Sequence, residues 1–300
     1  MCGIAGAINN GKGRLTKKSL RNMANGIEMR GRHAYGAAWV DSDNRVRMHK
    51  GEGPISKFID GILDAMHDPR VVILHTRWTT HGPATRNENN HPHPCDGGWL
   101  VHNGQIPNYL DLIEEYGLLT SSSCDSEVLG LLIPEFSGTL LERVVETVNA
   151  CSLDAPLCMG GIWANPTRLA VVKRGNPLFI GTGSTGNVYF SSCPIGLPGQ
   201  PRPLEDSSAF VFTYGQGATS MEVEPYAPTG VTWTGSDSFD DDDDDDDDVP
   251  LWKDDEMTDR DRWRSNAVQN LARLTGDRSI IEHAKKGRPW GVARRKRSPG

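Results

Sequence analysis

Apolar residues in the first 225 positions of the chain occur in short runs, and most of these runs have the length and composition of buried β-strands. Runs of four to eight residues rich in Val, Ile, Phe and Tyr, bounded by Gly, Asn, Asp or Pro, are typical of strands. Polar Ser42-Asp43-Asn44 between two of the runs predicts a hairpin turn. The sequence therefore predicts strands at residues 4–8, 35–40, 46–50, 71–74, 98–102, 158–164, 169–173, 177–180, 188–192, 210–214 and 220–223.

A second spacing, with apolar residues three or four positions apart, predicts helices. Leu20, Met23 and Ile27 share one helical face, and Thr16 is suited to cap a helix that ends near Arg30-Gly31. Comparable patterns predict helices at residues 55–66, 125–132 and 140–148. Strands and helices come in runs without regular alternation. We therefore predict an α+β fold of mostly antiparallel sheet layers with helices outside, and not a Rossmann fold.

The last quarter of the chain differs from the rest in composition. Residues 236–259 hold fourteen acidic side chains and one lysine, including nine consecutive aspartates at 240–248, whereas residues 260–300 hold twelve Lys or Arg and three acidic residues. Like charges in a run repel one another and bury no apolar surface. We therefore divide the chain into a globular domain (1–225), an acidic linker (226–259) and a basic, largely disordered tail (260–300), with a short helix predicted at 258–274.

The sequence also narrows the class of protein. No apolar run approaches the roughly 20 residues of a transmembrane helix, and the N-terminus lacks the basic and long apolar segments of a signal peptide. The six cysteines are scattered without a Cys-x-x-Cys pair, which favours a reducing compartment over a disulfide framework. We expect a soluble, cytoplasmic protein that does not contact a membrane.

Cys2 is the most informative residue, because removal of the initiator Met1 would make it the N-terminal residue. An α-amino group has a pKa of roughly 7.7–8.0, so near pH 7 a useful fraction of it is neutral and accepts the thiol proton. Nucleophile and base would then belong to one residue. Taken alone, Cys2 is only a small residue after Met, so this interpretation depends on the residues downstream.

Four polar blocks follow Cys2. They read His-Thr-Arg-Trp-Thr-Thr-His-Gly at 75–82, His-Pro-His at 91–93, Val-His-Asn-Gly at 101–104 and Cys-Asp-Ser-Glu at 124–127. Their order and spacing resemble the glutaminase domain of class II glutamine amidotransferases, which are N-terminal-nucleophile hydrolases. Within that family the chain is most similar to the glutaminase half of glucosamine-6-phosphate synthase. The resemblance covers about residues 2–195 and implies a four-layer αββα sandwich.

The resemblance implies catalytic roles for three residues. Cys2 would attack the side-chain amide of glutamine and form a γ-glutamyl thioester, while its amine moves the protons. The side-chain amide of Asn103 and the backbone N–H of Gly104 would form the oxyanion hole. Arg30 and Gly31 would form the turn beside the nucleophile.

The same resemblance implies a binding site for free glutamine. Arg77 would bind the α-carboxylate, a role suited to a planar fork of donors, and Asp125 would receive the α-ammonium. Trp78, Thr80 and His81 would belong to the loop that closes over glutamine and shields the thioester from water.

The chain departs from the family pattern at one position. The family usually continues Arg-Gly-x-Asp-x-x-Gly, whereas residues 30–36 read Arg-Gly-Arg-His-Ala-Tyr-Gly, with His33 in place of the acid. We therefore expect the surroundings of the terminal amine to differ here.

Each residue also has a simpler explanation. Arg77 suits a surface ion pair, Asp125 a helix N-cap, and Asn103-Gly104 an ordinary turn. Their joint occurrence in this order behind Cys2 favours the functional interpretation.

Histidines suggest a metal site as a competing interpretation. Six His and Cys residues fall within 28 positions, and His-x-His-x-Cys resembles a run of ligands: His75, His81, His91, His93, Cys95 and His102. No H-E-x-x-H or paired-Cys signature accompanies them, and the resemblance implies no metal at the His-Pro-His block. We expect no metal and no cofactor, and we expect the five cysteines other than Cys2 to be buried or incidental.

Together these features predict an enzyme that hydrolyses glutamine to glutamate and ammonia and supplies the ammonia to a separate synthetase or amidoligase. No P-loop, adenylating motif or sugar-phosphate domain follows the four blocks. An amidase acting on another γ-glutamyl amide and a non-catalytic regulatory or binding module remain as alternatives. The basic tail suits contact with an acidic partner or nucleic acid, and equally a solvated tail that folds back on the aspartates.

Overall fold

The computed structural model describes residues 1–79 and 82–227. The predicted linker and tail, together with the predicted helix at 258–274, lie outside the described residues. The strands are β1 (Gly3–Ile8), β2 (Ala34–Val40), β3 (Val46–Glu52), β4 (Val71–Arg77), β5 (His93–Cys95), β6 (Gly98–Gly104), β7 (Leu157–Trp163), β8 (Arg168–Arg174), β9 (Phe179–Thr182), β10 (Val188–Ser191), β11 (Arg202–Pro203), β12 (Ser208–Thr213) and β13 (Ala218–Glu222). The helices are α1 (Lys17–Glu28), α2 (Ile59–Ala65), α3 (Tyr109–Tyr116), α4 (Glu127–Leu132) and α5 (Leu140–Ala150).

The strands form two antiparallel sheets. The first has the order β11-β9-β10-β1-β4-β2-β3, and the second has the order β13-β12-β8-β7-β6-β5. In the first sheet β1 lies between β10 and β4, with Gly3 opposite Thr76 and Ile8 opposite Val71. The N-terminus of the chain therefore enters the molecule at the centre of a sheet.

The side chains of each strand alternate between two apolar layers, as the pleat requires. On β1, Ile4 and Ile8 face the core between the two sheets, whereas Ala5 and Ala7 face the core beneath α1 and α2. A third core lies between the second sheet and α3, α4 and α5. The four layers are helix, sheet, sheet and helix, which confirms the predicted αββα sandwich.

The local predictions hold for most elements. Thr16 caps α1 by accepting the Ser19 N–H, as predicted. The predicted helix at 55–66 is interrupted, because Phe58 has a non-helical backbone (φ −120°, ψ −17°) between a short 3₁₀ turn and α2. The apolar pattern did not predict α3, whose Leu110 is 62% exposed and breaks the amphipathic spacing, or the very short strands β5 and β11. In the part of the chain that is described, no helix has the length and apolar character needed to cross a bilayer.

Arg174, the last residue of β8, holds the C-terminal end of α5 in place. Its side chain is fully buried and donates to the backbone oxygens of Val148 (2.8 Å), Cys151 (3.3 Å) and Ser152 (2.8 Å). Cations at a helix C-terminus satisfy the last carbonyls and interact favourably with the helix dipole. This contact ties the outer helix layer to the second sheet.

We predict that Arg174→Met lowers the free energy of unfolding by about 3 kcal/mol, because it leaves several buried carbonyls without a donor. Denaturant unfolding of the purified protein measures this change. Arg202→Met, at an exposed position of β11, is the matched control and should stay within about 0.5 kcal/mol of the parent. Equal stability of the two variants would contradict the assigned role.

Candidate active site

Cys2 immediately precedes β1, and its thiol lies against the end of β4. The Sγ atom is 3.4 Å from the backbone nitrogen of Trp78, which donates to it, and 3.6 Å from the backbone oxygen of Trp78, which accepts from it. The register of β1 with β4 creates this contact between residues 76 positions apart in the chain. Met1 precedes the thiol and is 66% exposed, so the peptide bond whose cleavage is predicted to free the Cys2 amine starts from an exposed residue.

The electrostatic surroundings of the Cys2 thiol work in opposite directions. Burial raises its pKa, whereas the Trp78 N–H, the positive chain terminus, Arg77 and Arg30 lower it. Four sources of positive charge or hydrogen-bond donation therefore converge on the thiol, but burial outweighs them and the pKa of Cys2 is raised overall.

Arg30 and Asn103 meet at the backbone oxygen of Cys2. Arg30 Nε donates to this oxygen at 2.8 Å. With the Asn103 amide oriented to satisfy its neighbours, its Nδ2 donates to the same oxygen at 3.1 Å and its Oδ1 accepts from Arg30 Nη2 at 3.3 Å. Arg30 follows α1, and Asn103 lies on β6 of the second sheet. The structure thus brings both sheets together at the predicted nucleophile.

Two glycines permit this close packing. A Cβ atom on Gly31 would lie 2.4 Å from the backbone carbon of Arg77 and 2.6 Å from the nitrogen of Trp78. Gly104 has φ +155°, and a Cβ atom there would lie 2.5 Å from the backbone oxygen of Pro156. Gly31 therefore lets the chain after α1 press against the backbone that contacts Sγ, and Gly104 keeps a conformation that other residues rarely adopt.

Arg77 and Asp125 are both buried, with side chains 3% and 5% exposed. Arg77 Nη1 donates to Asn90 Oδ1 at 2.8 Å, and Nη2 donates to the backbone oxygen of Gly82 at 3.0 Å. Asp125 Oδ2 accepts the backbone N–H of Ile106 at 2.9 Å. Arg77 is therefore not part of a surface ion pair, because it is buried. Asp125 is not the N-cap of α4, because α4 begins at Glu127 and its N-cap is Ser126. Thr80 and His81 lie outside the described residues.

His33, the departure from the family pattern, contacts the segment after β4. Its ring lies 4.5 Å from the ring of Trp78, and its Nδ1 accepts the backbone N–H of Thr79 at 3.0 Å. Burial, Arg77 and the chain terminus lower its pKa, which favours the neutral form that accepts this bond. His33 therefore holds the backbone beside the Cys2 thiol.

Four histidines are buried together behind Arg77: His75, His91, His93 and His102. The rings of His75 and His91 stack at 4.0 Å, and His93 meets His91 edge-on at 4.5 Å. Burial is the largest cause that lowers the pKa values of all four histidines. The pKa falls to about 3 for His93 and to about 4 for His102. The cluster is therefore neutral at physiological pH.

The arrangement of possible metal ligands differs from the sequence pattern. Nitrogen and sulfur atoms of His91, His93 and Cys124 lie within 4.8 Å of one another, and Cys95 is not in this group. His91 Nδ1, however, accepts the backbone N–H of His102 at 3.3 Å. In a neutral ring this hydrogen bond uses the one free lone pair, so a cation would have to break it.

All six cysteines are free thiols. Burial raises the pKa of Cys124 to about 11 and the pKa values of Cys151 and Cys158 to about 12, and it also raises the pKa values of Cys95 and Cys193. Burial disfavours the reactive thiolate form of these five side chains, as it does that of Cys2, so the position of Cys2 beside the chain terminus, and not its pKa, distinguishes it from them.

Comparison with known proteins identifies the domain. No protein-family model matches the chain. The chain is 35% identical over 205 residues to a glutamine–fructose-6-phosphate aminotransferase (isomerizing) of Aquifex aeolicus, which covers 66% of this chain and 33% of that protein. A protein of the same name from Sulfurisphaera tokodaii is 31% identical over 220 residues, 70% of this chain and 37% of that one. The matched part of the chain is a class II glutamine amidotransferase domain.

The fold of this amidotransferase domain agrees with that assignment. A solved glutamine phosphoribosylpyrophosphate amidotransferase of B. subtilis superimposes with a TM-score of 0.62 at 20% identity, over 74% of this chain and 49% of that one. At 20% identity this superposition is evidence for a shared fold and not for a shared activity. The chain spans about a third of the length of the curated relatives that it matches.

Asn89 and Asn90 of the amidotransferase domain are each 1% exposed, although nothing in the sequence pattern predicts their burial. They precede the His-Pro-His block in a run, residues 87–90, that reads as an exposed polar turn. A buried polar side chain with satisfied hydrogen bonds has no local sequence signature, so only the contacts with Arg77 and Ser123 reveal them.

We predict that the neutral histidine cluster makes the fold sensitive to acid. The unfolded chain binds protons at these residues below about pH 6.5, whereas the folded protein excludes them until a much lower pH. The contribution of these histidines to the free energy of unfolding is therefore fully present above pH 6.5. It falls as the pH decreases, by about 1.4 kcal/mol per pH unit for each such histidine. Denaturant unfolding between about pH 7.5 and 5 measures this change. The free energy of unfolding should depend less steeply on pH for His93→Gln than for the parent protein.

His49→Gln, at an exposed position of β3, is the control and should leave the pH dependence unchanged. Parallel curves for His93→Gln and the parent protein would show that His93 is not held neutral by the fold.

Proposed function

We propose that this domain hydrolyses glutamine to glutamate and ammonia, with Cys2 as the nucleophile. The observation that supports this most strongly is the position of Cys2 Sγ, which contacts the backbone of Trp78 while Asn103 of the second sheet reaches the backbone of Cys2. A terminal nucleophile, two candidate oxyanion donors, a buried arginine and a buried carboxylate are what a free-glutamine amidase needs.

The proposed chemistry uses groups of this chain alone. Once Met1 is removed, the α-amine of Cys2 takes the thiol proton and Sγ attacks the amide carbon of glutamine. The Asn103 side chain and the Gly104 N–H stabilise the oxyanion of the tetrahedral intermediate. The amine returns the proton to the leaving nitrogen, ammonia departs, and water then attacks the thioester to release glutamate and free Sγ.

Recognition of the substrate is assigned to Arg77 and Asp125. Asn90 and Gly82 fix the plane of the Arg77 guanidinium before any substrate arrives, and Ile106 fixes the Asp125 carboxylate. We assign the α-carboxylate of glutamine to Arg77 and the α-ammonium to Asp125. Trp78, Thr80 and His81 are proposed to cover the bound substrate, and Arg30 and Gly31 to support the nucleophile.

The ammonia is proposed to pass to a separate synthetase or amidoligase. The relatives named as aminotransferases extend well beyond the part that this chain matches, so the acceptor of the nitrogen is not carried over from them. The chain is proposed to divide into residues 1–225, 226–259 and 260–300, with the two charged segments as docking regions for that partner. The basic tail is further proposed to contact an acidic partner or nucleic acid. Hydrolysis of another γ-glutamyl amide is the second candidate, and comparing glutamine with such amides as substrates decides between the two.

We predict that active protein begins at Cys2 and that Cys2→Ala and Cys2→Ser abolish glutamine hydrolysis without unfolding the domain. Intact-mass measurement establishes the N-terminus, and ammonia release measures the activity. A glutamine-like diazo-ketone should label Cys2 and none of the other five thiols. Retention of Met1 in active protein, or labelling of Cys193 in place of Cys2, would contradict the assignment.

We predict that a substitution at Arg77 mainly affects substrate binding, whereas one at Asn103 mainly affects the chemical step. Arg77→Lys should raise KM for glutamine, because a point charge does not reproduce the planar fork. Asn103→Ala should lower kcat by roughly 10²–10³, the usual effect of losing one oxyanion donor. Steady-state kinetics on glutamine separates the two. An Asn103→Ala enzyme with raised KM and unchanged kcat would show that Asn103 does not act in the transition state.

A further inference from the structure

Asn90 connects Arg77 to the segment that follows β4. Its Oδ1 accepts from Arg77 Nη1 at 2.8 Å, and its Nδ2 donates to the backbone oxygen of Ala84 at 2.8 Å. Lys50 Nζ anchors the backbone of the same residue by donating to the Asn90 oxygen at 2.6 Å. Both ends of the Asn90 amide are occupied by protein, so it sets where the guanidinium lies without being directed at a substrate.

Asn89 makes the equivalent connection to the segment that carries Asp125. Its Oδ1 accepts from the backbone nitrogen of Ser123 at 2.9 Å and from the Ser123 hydroxyl at 3.1 Å. Its Nδ2 donates to the backbone oxygen of Pro83 at 3.2 Å. Ser123 lies two residues before Asp125, so this side chain ties the acidic residue to the same loop that Asn90 holds.

The two amides therefore join parts of the molecule that no strand pairing connects. Arg77 ends β4 in the first sheet, whereas Asp125 precedes α4 in the outer layer beside the second sheet. Pro83 and Ala84 are neighbours, so both amides fasten one short loop. Buried amides with satisfied donors and acceptors fix geometry strongly, because each lost bond leaves an unpaired polar group.

We propose that Asn89 and Asn90 form an amide bridge that fixes the separation of Arg77 and Asp125 and thereby sets the affinity for the α-amino-acid end of the substrate. The bridge rests on the proposed glutaminase function. Both asparagines are positioning residues, since Asn90 contacts Arg77 and Asn89 contacts the segment just before Asp125, and neither is assigned to the reacting amide.

The amide bridge predicts that its removal weakens substrate binding and leaves the chemical step nearly unchanged. Asn89→Ala and Asn90→Ala should raise KM for glutamine about 10- to 100-fold, the range expected for one or two lost buried hydrogen bonds, while kcat changes less than about threefold. Inactivation by the glutamine-like diazo-ketone, which has the same amino-acid end, should slow by a similar factor. Alkylation of Cys2 by iodoacetamide, which lacks that end, should proceed at the parental rate.

Asn90→Asp tests the effect of charge at this position. Aspartate has the shape of asparagine and keeps an acceptor for Arg77, but it cannot donate to the Ala84 oxygen, so the free energy of unfolding is measured beside KM to detect a merely structural defect. Its negative charge, however, occupies the guanidinium and competes with the substrate carboxylate. We expect KM to rise at least as much as for Asn90→Ala. Asn22→Ala, at an exposed position of α1, is the matched control and should behave as the parent.

The outcomes distinguish the two proposals. If the parent hydrolyses glutamine and the folded Asn89 and Asn90 variants keep its KM and its rate of diazo-ketone inactivation, the amide bridge is overturned and the glutaminase stands. Slower iodoacetamide alkylation in step with diazo-ketone inactivation would also overturn the bridge, because the damage would then lie at Cys2. A parent that neither hydrolyses glutamine nor reacts with the diazo-ketone would overturn the glutaminase, and the bridge with it.

Discussion

The pairing of β1 with β4 is the constraint on which the site depends. With Gly3 opposite Thr76, the residue before β1 and the residue after β4 become neighbours, and the thiol of Cys2 reaches the backbone of Trp78. A shift of one residue would turn every side chain of β1 to the opposite face. Ile4 and Ile8 would leave the core between the sheets, so burial of apolar side chains fixes the same register that places the thiol.

The end of β4 changes from an apolar to a polar strand at the point where catalysis is proposed. Its first residues fill two apolar cores, whereas His75 and Arg77 continue the same alternation into a buried polar region. Burying such groups costs free energy unless they find partners. The histidines lower this cost by remaining neutral, and Arg77 does so through Asn90 and Gly82. Rigid, satisfied polar groups are what a site needs to hold substrate without reorganising.

The segment from Arg30 to His33 shows how one short turn serves several functions. Arg30 reaches the backbone of Cys2, Gly31 allows close approach to the end of β4, and His33 receives the Thr79 N–H. The replacement of an acid by His33 exchanges a permanent charge for a ring that accepts a hydrogen bond when neutral and stacks on Trp78. The resemblance to the family identified the position, but the contact explains how a different residue suits it.

The sequence alone determined what depends on local spacing and covalent order. Alternation and helical periodicity predicted most strands and helices, including the Thr16 cap, and the order of the polar blocks behind Cys2 indicated the family. Local spacing does not specify the distant partner of a polar side chain. Only the tertiary structure decided that Cys124, and not Cys95, lies beside His91 and His93, that Arg174 caps α5, and that Asn89 and Asn90 join Arg77 to the segment before Asp125. Each of these contacts arises where separate strands and loops pack together, and a hydrogen bond across such a junction leaves no periodic signal in the chain.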